Sequence, residues 1–457
     1  MIAGTVSSRR QFLCGTGGLV AASAGLAGGA ASAQTTDANA MTASIAESHY
    51  YLTDALLEQG FRRENDIVVA TKTARKTLEV RDGRIVAVLD DGAALTPAVP
   101  RYSAGGRLVL PAFRDMHIHL DKTFYGGPWQ APLPRKGKTI MDMIAREEEL
   151  LPKLLPTSQQ RAEALIELLL SQGTTTARSH CNIDPVSGLK SLEHLQLALE
   201  TYRGRFDCEI VAFPQHGLLH SKVDGLMREA MQTGAHFVGG LDPTNVDGAM
   251  QQSLDAMFQI ALDHDKPIDI HIHETTPEGV AAINYMLDTV ERTSELQGRL
   301  TLSHAFALGT LSEAELDPLA ERMTALGVTV ISTVPIGRLT MPLPRLREKG
   351  VTLMSGTDSV IDHWSPFGTG DMLEKANLCA QLYGDRDEFG LTRSMSIATG
   401  DVLPLSESGE QAWPKVGDAA AFALVDSTCS AEAVARRSPR TATFHAGKLV
   451  FGQIAQV

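Results

Sequence analysis

The chain has 457 residues, 43% hydrophobic and 21% charged, enough for one large domain or two to three smaller ones with a sizeable core. Its formal net charge is -13, and no long basic run interrupts it. That balance argues against nucleic acid or an anionic membrane as the main partner.

The N-terminus carries Ser8-Arg9-Arg10-Gln11-Phe12-Leu13, then a weakly apolar Gly/Ala-rich stretch ending in Ala31-Ser32-Ala33-Gln34. A twin arginine, a modest apolar region and an A-x-A site predict a twin-arginine (Tat) export signal over residues 1–33. The Tat export machinery is then a partner, and the periplasm the destination. No other run has the roughly 20 apolar residues that a membrane-spanning helix needs. Cleavage removes Cys14 and leaves Cys181, Cys208, Cys379 and Cys429, with no C-x-x-C pair. Such spacing supports no disulfide and argues against a cysteine zinc site.

A polar linker leads to Ser48, and residues 50–60 are predicted to be a short helix, so 34–60 reads as linker plus helix. Residues 66–92 then alternate apolar and polar side chains around the hairpin signal Asp82-Gly83. The far end repeats this character over 418–426 and 441–452, with Ala446-Gly447 at the turn. Together, 61–107 and 410–457 predict one small β-sandwich domain formed by both termini.

Between them, over 108–409, short β-rich apolar runs recur, each followed by a helix-like segment. They are 108–118, 174–177, 210–213, 237–241, 268–272, 301–303, 328–331 and 351–354. Eight such α/β units imply parallel pairing and a (β/α)8 TIM barrel, whose catalytic groups come from the C-terminal strand ends. The polar residues fall there. The first run ends in His117 and His119, the second in Arg178 and His180, the third in Gln215 and His216. The fifth ends in His271, His273 and Glu274, the sixth in His304, the eighth in Asp358. Residues two apart on a strand share a face, so His117 and His119 can meet one ion. His271 and His273 share a face too, and spacing alone does not say which is the ligand. Three imidazole nitrogens, one carboxylate oxygen and an open position suit a catalytic Zn2+ or Fe2+.

With these residues in place, the chain resembles the amidohydrolase superfamily, in particular its cytosine deaminases, with the N-isopropylammelide hydrolases as near relatives. The stretches PAFRDMHIHLDKT (111–123), EIVAFPQHG (209–217), PIDIHIHE (267–274) and GTDSVIDHWSPFGTGDML (356–373) carry the likeness. It implies that His117, His119, His271 and Asp358 bind one divalent metal. It also implies that Glu274 shuttles a proton, that His304 orients the reactive water and that Asp358 accepts that water's proton. Gln215 matches the glutamine that bonds the pyrimidine, and its amide can donate or accept. Ser359, Trp364 and His273 complete the expected substrate contacts. His273 and Ser359 stand where cytosine deaminases carry aspartates, and His216 where they carry glutamate.

Two-metal members of the superfamily use a carboxylated lysine at the fourth strand end. No lysine occurs between Lys222 and Lys266, so a single metal is expected. Lys122 is expected to form a structural ion pair with Asp121 or another loop acid, with substrate contact as the alternative. The activity implied is hydrolytic deamination of a cytosine-like amino heterocycle, releasing ammonia. Alternatives are release of an alkylamine, or hydrolysis of a cyclic amide or amidine, on a triazine, pterin or creatinine-like ring. A non-catalytic periplasmic binding protein is the remote alternative. The H-x-E…P-C-x-x-C design of other zinc deaminases is absent. Homo-oligomers are common among such barrels.

Overall fold

The computed structural model describes residues 45, 47–134, 139–337 and 339–457. The expected export signal lies outside the described residues.

Eight parallel strands follow one another around the barrel: Phe113–Ile118, Thr174–Asn182, Asp207–Phe213, Phe237–Leu241, Ile268–His271, Leu300–Ser303, Thr329–Ser332 and Thr352–Ser355. Short strands such as Ile268–His271 and Leu300–Ser303 are buried at every position, with helices covering the outside. Such strands read as continuous apolar runs because both faces are covered. The ring closes through a parallel bridge between Ile118 and Asp358, where the Asp358 N–H donates to the His117 carbonyl at 2.7 Å. Gly356 permits this approach, since a Cβ there would lie 2.3 Å from the His117 carbonyl oxygen.

Both termini build a second, nine-stranded sheet. Its N-terminal part includes His49–Glu64, Ile67–Arg81, Arg84–Asp90 and Leu108–Pro111; Phe422–Val425, Arg440–His445 and Lys448–Gly452 come from the other end. Tyr50, Leu52, Leu57, Leu78, Ile85, Phe422 and Phe444 form its core. Asp82-Gly83 and Ala446-Gly447 make the expected turns, all four residues at positive φ.

Two expectations are corrected. Residues 50–60 are not a helix but lie within the strand His49–Glu64. Bulges between Leu52 and Ala55 and between Glu58 and Gly60 reset the alternation, so the inward side chains run Tyr50, Leu52, Ala55, Leu57. A three-residue step among two-residue steps imitates helical spacing. The run 108–118 is not one strand either. Leu108–Pro111 belongs to the terminal sheet, paired with Phe422–Val425, and the chain crosses into the barrel at Ala112.

The helix Ile140–Leu154 lies over the C-terminal mouth of the barrel, where Ile144 packs on Phe213, Leu241 and Val246. A capping box between Thr139 and Asp142 starts it. Among the described residues, no helix is long and apolar enough to cross a membrane.

Candidate active site

His117 and His119 leave the first barrel strand pointing inward. The Ser303 hydroxyl donates to Asp269 Oδ1 (2.6 Å), so its oxygen accepts from His117 Nδ1 (2.9 Å). His119 Nδ1 faces the His180 carbonyl (3.0 Å), which only accepts. Both rings therefore hold their proton on Nδ1 and turn a bare Nε2 to the centre. The two Nε2 atoms lie 3.7 and 3.4 Å from Asp358 Oδ1. Neither nitrogen of His271 has a hydrogen-bond partner among the described residues. Candidate ligand atoms of His117, His119 and His271 lie within 4.8 Å of one another.

The electrostatics agree. Burial, reinforced by neighbouring imidazoles, holds His117 and His271 well below the usual imidazole range, leaving neutral donors. Burial alone would raise Asp358, but His119, His304 and His117 hold it well below the usual carboxylate range. Neutral imidazoles with orphaned lone pairs around one carboxylate are the donor set of a divalent metal. His304, pushed down to about 3 chiefly by burial, stands beside them with both nitrogens unpartnered among the described residues.

Asp242, His304 and Asp358, at the ends of strands four, six and eight, have φ of 34°, 66° and 64°. Left-handed backbone of this kind costs about 1–3 kcal/mol per residue and clusters at functional sites. It turns these side chains sharply off their strands.

An inner cavity of about 80 Å³ opens above this group. His119, His271, His304 and Asp358 form one part of its wall, and Phe213, Gln215, Ser359, Trp364, His273 and Lys122 the rest. An outer cavity of about 430 Å³ shares His273, His304, Asp358, Ser359 and Trp364 and adds Phe306, Val334, Ile336 and Phe367. The expected substrate contacts thus stand together. Glu274 is placed differently. It lines neither cavity, and its Oε1 accepts from the Thr244 and Asn245 N–H groups at 2.8 and 2.7 Å. His273 faces both cavities instead, with Nδ1 2.9 Å from Asp242 Oδ2. Burial opposes charge on His273, but Asp242 outweighs it and raises this imidazole above its usual range. Arg178 and His180 line neither cavity. Arg178 pairs with Asp269 (2.9 Å), and the His180 ring packs 4.2 Å from that of His117.

Lys122 does pair with an acid, but not with Asp121, whose Oδ2 accepts from the Asn182 N–H at 2.9 Å. The partner is Glu147 of the helix over the mouth, at 3.5 Å. Lys122 also lines the inner cavity and donates to Gln215 Oε1 at 2.6 Å. The structural ion pair and the cavity wall are one feature. Sequence reasoning missed Glu147, Asp242 and His363. Asp242 ends a strand as the other site residues do, so a signal was present. Glu147 heads the run Glu147-Glu148-Glu149, which reads as a solvated helix face.

Residues 102–451 match the Amidohydrolase family. The uncharacterized protein YahJ of Escherichia coli (strain K12) is 60% identical over 455 residues, 98% of this chain and 99% of that protein. N-isopropylammelide isopropyl amidohydrolase of Pseudomonas sp. (strain ADP) is 32% identical over 65% of this chain and 75% of its own length. The crystal structure of N-isopropylammelide isopropylaminohydrolase from Burkholderia multivorans superposes with a TM-score of 0.76. It shares 29% identity over 89% of this chain and 100% of that one.

Proposed function

Because the chain belongs to the amidohydrolase family, whose members hydrolyse C–N bonds in cyclic compounds, we propose that it removes an exocyclic amino group from an oxo-substituted nitrogen heterocycle. One observation carries this. The inner cavity sets a metal-binding group, His304 and His273 on one side of a ring-sized space and an amide, Gln215, on another. Phe213 and Trp364 supply flat walls for an aromatic ring.

His117, His119, His271 and Asp358 would hold one divalent ion, Zn2+ or Fe2+. When bound, such an ion would lower the pKa of a water to about 7 and so make hydroxide available at neutral pH. Asp358 takes the proton of the attacking water, and His304 orients that water. His273, held by Asp242, turns its second nitrogen to the cavities and hands a proton to the leaving amine, with Glu274 behind it. Gln215 holds the far edge of the ring.

Ammonia is the leaving group for a cytosine-like ring. A second reading, release of an alkylamine, draws support from the outer cavity, where Phe306, Val334, Ile336 and Phe367 offer an apolar space next to His273. It fits the substrate in the name of the Pseudomonas relative. The test loads the enzyme with zinc or iron and supplies cytosine, 5-methylcytosine, pterin and N-isopropylammelide. Ammonia or isopropylamine is expected. A new carboxylate without amine would point to ring opening, and a ligand recovered unchanged to a binding protein; either would overturn the proposal.

The site of action we propose is the periplasm, on the strength of the Arg9-Arg10 signal alone. Replacing both arginines by lysine is expected to leave the activity in the cytoplasmic fraction, and unchanged fractionation would contradict export by this route.

A further inference from the structure

We infer that Glu147 is a specificity-determining positioning residue. By holding Lys122 against Gln215 Oε1, it commits the Gln215 amide to donating, so the bound ring must turn an acceptor edge toward it. That edge is a carbonyl oxygen. The inference rests on the proposed heterocycle reading and narrows it to one substrate class.

An ammonium has three donors and no acceptor. Lys122 Nζ lies 2.6 Å from Gln215 Oε1 and 3.3 Å from Asn182 Oδ1, with Glu147 Oε1 at 3.5 Å. The atom 2.6 Å from an ammonium is necessarily an oxygen, so the lysine settles the amide orientation. Gln215 Nε2 is then the group left for the cavity, and it finds no partner among the described residues. Alone, this glutamine could flip and read either a donor or an acceptor.

Glu147 makes the arrangement hold. Lys122 is only 1% exposed, and a buried ammonium needs an anion beside it. Among the described residues, Glu147 is the carboxylate within 4.0 Å of Nζ. Its oxygens also take the Asn182 amide N–H and the indole N–H of Trp364 (3.1 Å), and His363 Nε2 lies 2.9 Å away. One carboxylate on the helix over the mouth therefore secures side chains at or just after the C-terminal ends of the first, second and eighth barrel strands. Two of them, Lys122 and Trp364, line the ring cavity. Burial raises Glu147, but Lys122 and His363 outweigh it and hold it well below the usual carboxylate range, so it remains an anion.

The test uses matched rings in which an oxo group is replaced by amino: cytosine against 2,4-diaminopyrimidine, and N-isopropylammelide against N-isopropylammeline. The metal-loaded wild type is expected to favour the oxo ring by at least about 100-fold in kcat/KM, because a donor facing a donor is left unpaired. Glu147→Gln removes the charge. Glu147→Gln/Lys122→Met removes both charges together, which guards against a single variant that fails to fold. In each, the oxo preference is expected to fall at least about tenfold, through a higher KM for the oxo ring, with metal content unchanged. The emission of Trp364, freed from its carboxylate, is expected to shift. Folded, metal-loaded variants that keep the oxo preference overturn this inference and leave the proposed activity standing. A wild type that releases amine from none of the four rings overturns both.

Discussion

Two imidazoles beside a carboxylate make a metal site only if their lone pairs point the same way. Ser303 settles this for His117: its proton goes to Asp269, so its oxygen takes the Nδ1 proton and Nε2 is left bare. Outer partners of this kind are worth about 10–100-fold in metal affinity. Ser303→Ala is therefore expected to weaken metal binding by about that factor, read by competition with a chromophoric chelator. Unchanged affinity would show that His117 needs no such guide. The neighbouring pair poses a second residue-scale question. His273 faces both cavities, whereas Glu274 lines neither: its Oε1 accepts from the Thr244 and Asn245 amides, and its buried Oε2 has no partner among the described residues. His273→Gln is expected to lower kcat by about 10²–10⁴, as loss of a positioned proton carrier does. Glu274→Gln is expected to lower it less. The reverse order in steady-state kinetics would return the proton-carrying role to Glu274.

At the scale of elements, the site depends on how the first and last barrel strands meet. Ile118 pairs with Asp358, and Gly356 lets the backbones touch. Gly356→Ala forces a Cβ to within 2.3 Å of the His117 carbonyl, and something must move. Overpacking of this kind costs about 1–3 kcal/mol. Because the strain falls on the strand that carries the candidate ligand His117, the variant is expected to lose metal as well as stability. Denaturant unfolding and metal analysis check both, and full metal content in a stable variant would refute the coupling. The barrel was legible because each strand is covered on both faces and reads as an apolar run ending in a polar residue. Ala112 was not legible as a crossing point, since no glycine or polar turn separates Leu108–Pro111 from Phe113–Ile118. The strand His49–Glu64 was hidden by its bulges. The side chains around the inner cavity, from His119 to Trp364, follow strand ends and could be read from them. Glu147 sits inside a helix, one of three successive glutamates, and only tertiary packing shows which of them is buried.

For the whole molecule, acid sensitivity is a sum of opposing parts. Burial pushes Asp115 up to about 6 and also raises Asp121 and Asp269, and such groups favour the folded state as pH falls. Glu147 runs the other way. Burial alone would raise it, but Lys122 and His363 hold it well below its ordinary value of 4.5. A carboxylate depressed on folding adds stability that is fully present above its unfolded pKa. That stability is lost as pH falls through the folded pKa. The wild-type curve mixes these signs, whereas the difference between wild type and Glu147→Gln isolates one of them. At pH 7 the variant leaves Lys122 buried without its anion, and breaking a buried pair from one side costs about 3–5 kcal/mol. The stability gap is expected to stay level above about pH 5.5 and to narrow below about pH 4.5, where Glu147 of the unfolded wild type takes a proton that the folded protein does not. Denaturant unfolding of both proteins at several pH values from neutral to acid measures it. A gap that widens toward acid would mean that Glu147 is not held as an anion. A variant as stable as the wild type at pH 7 would mean that Lys122 does not depend on it. Either result would remove the charge on which the orientation of Gln215 rests.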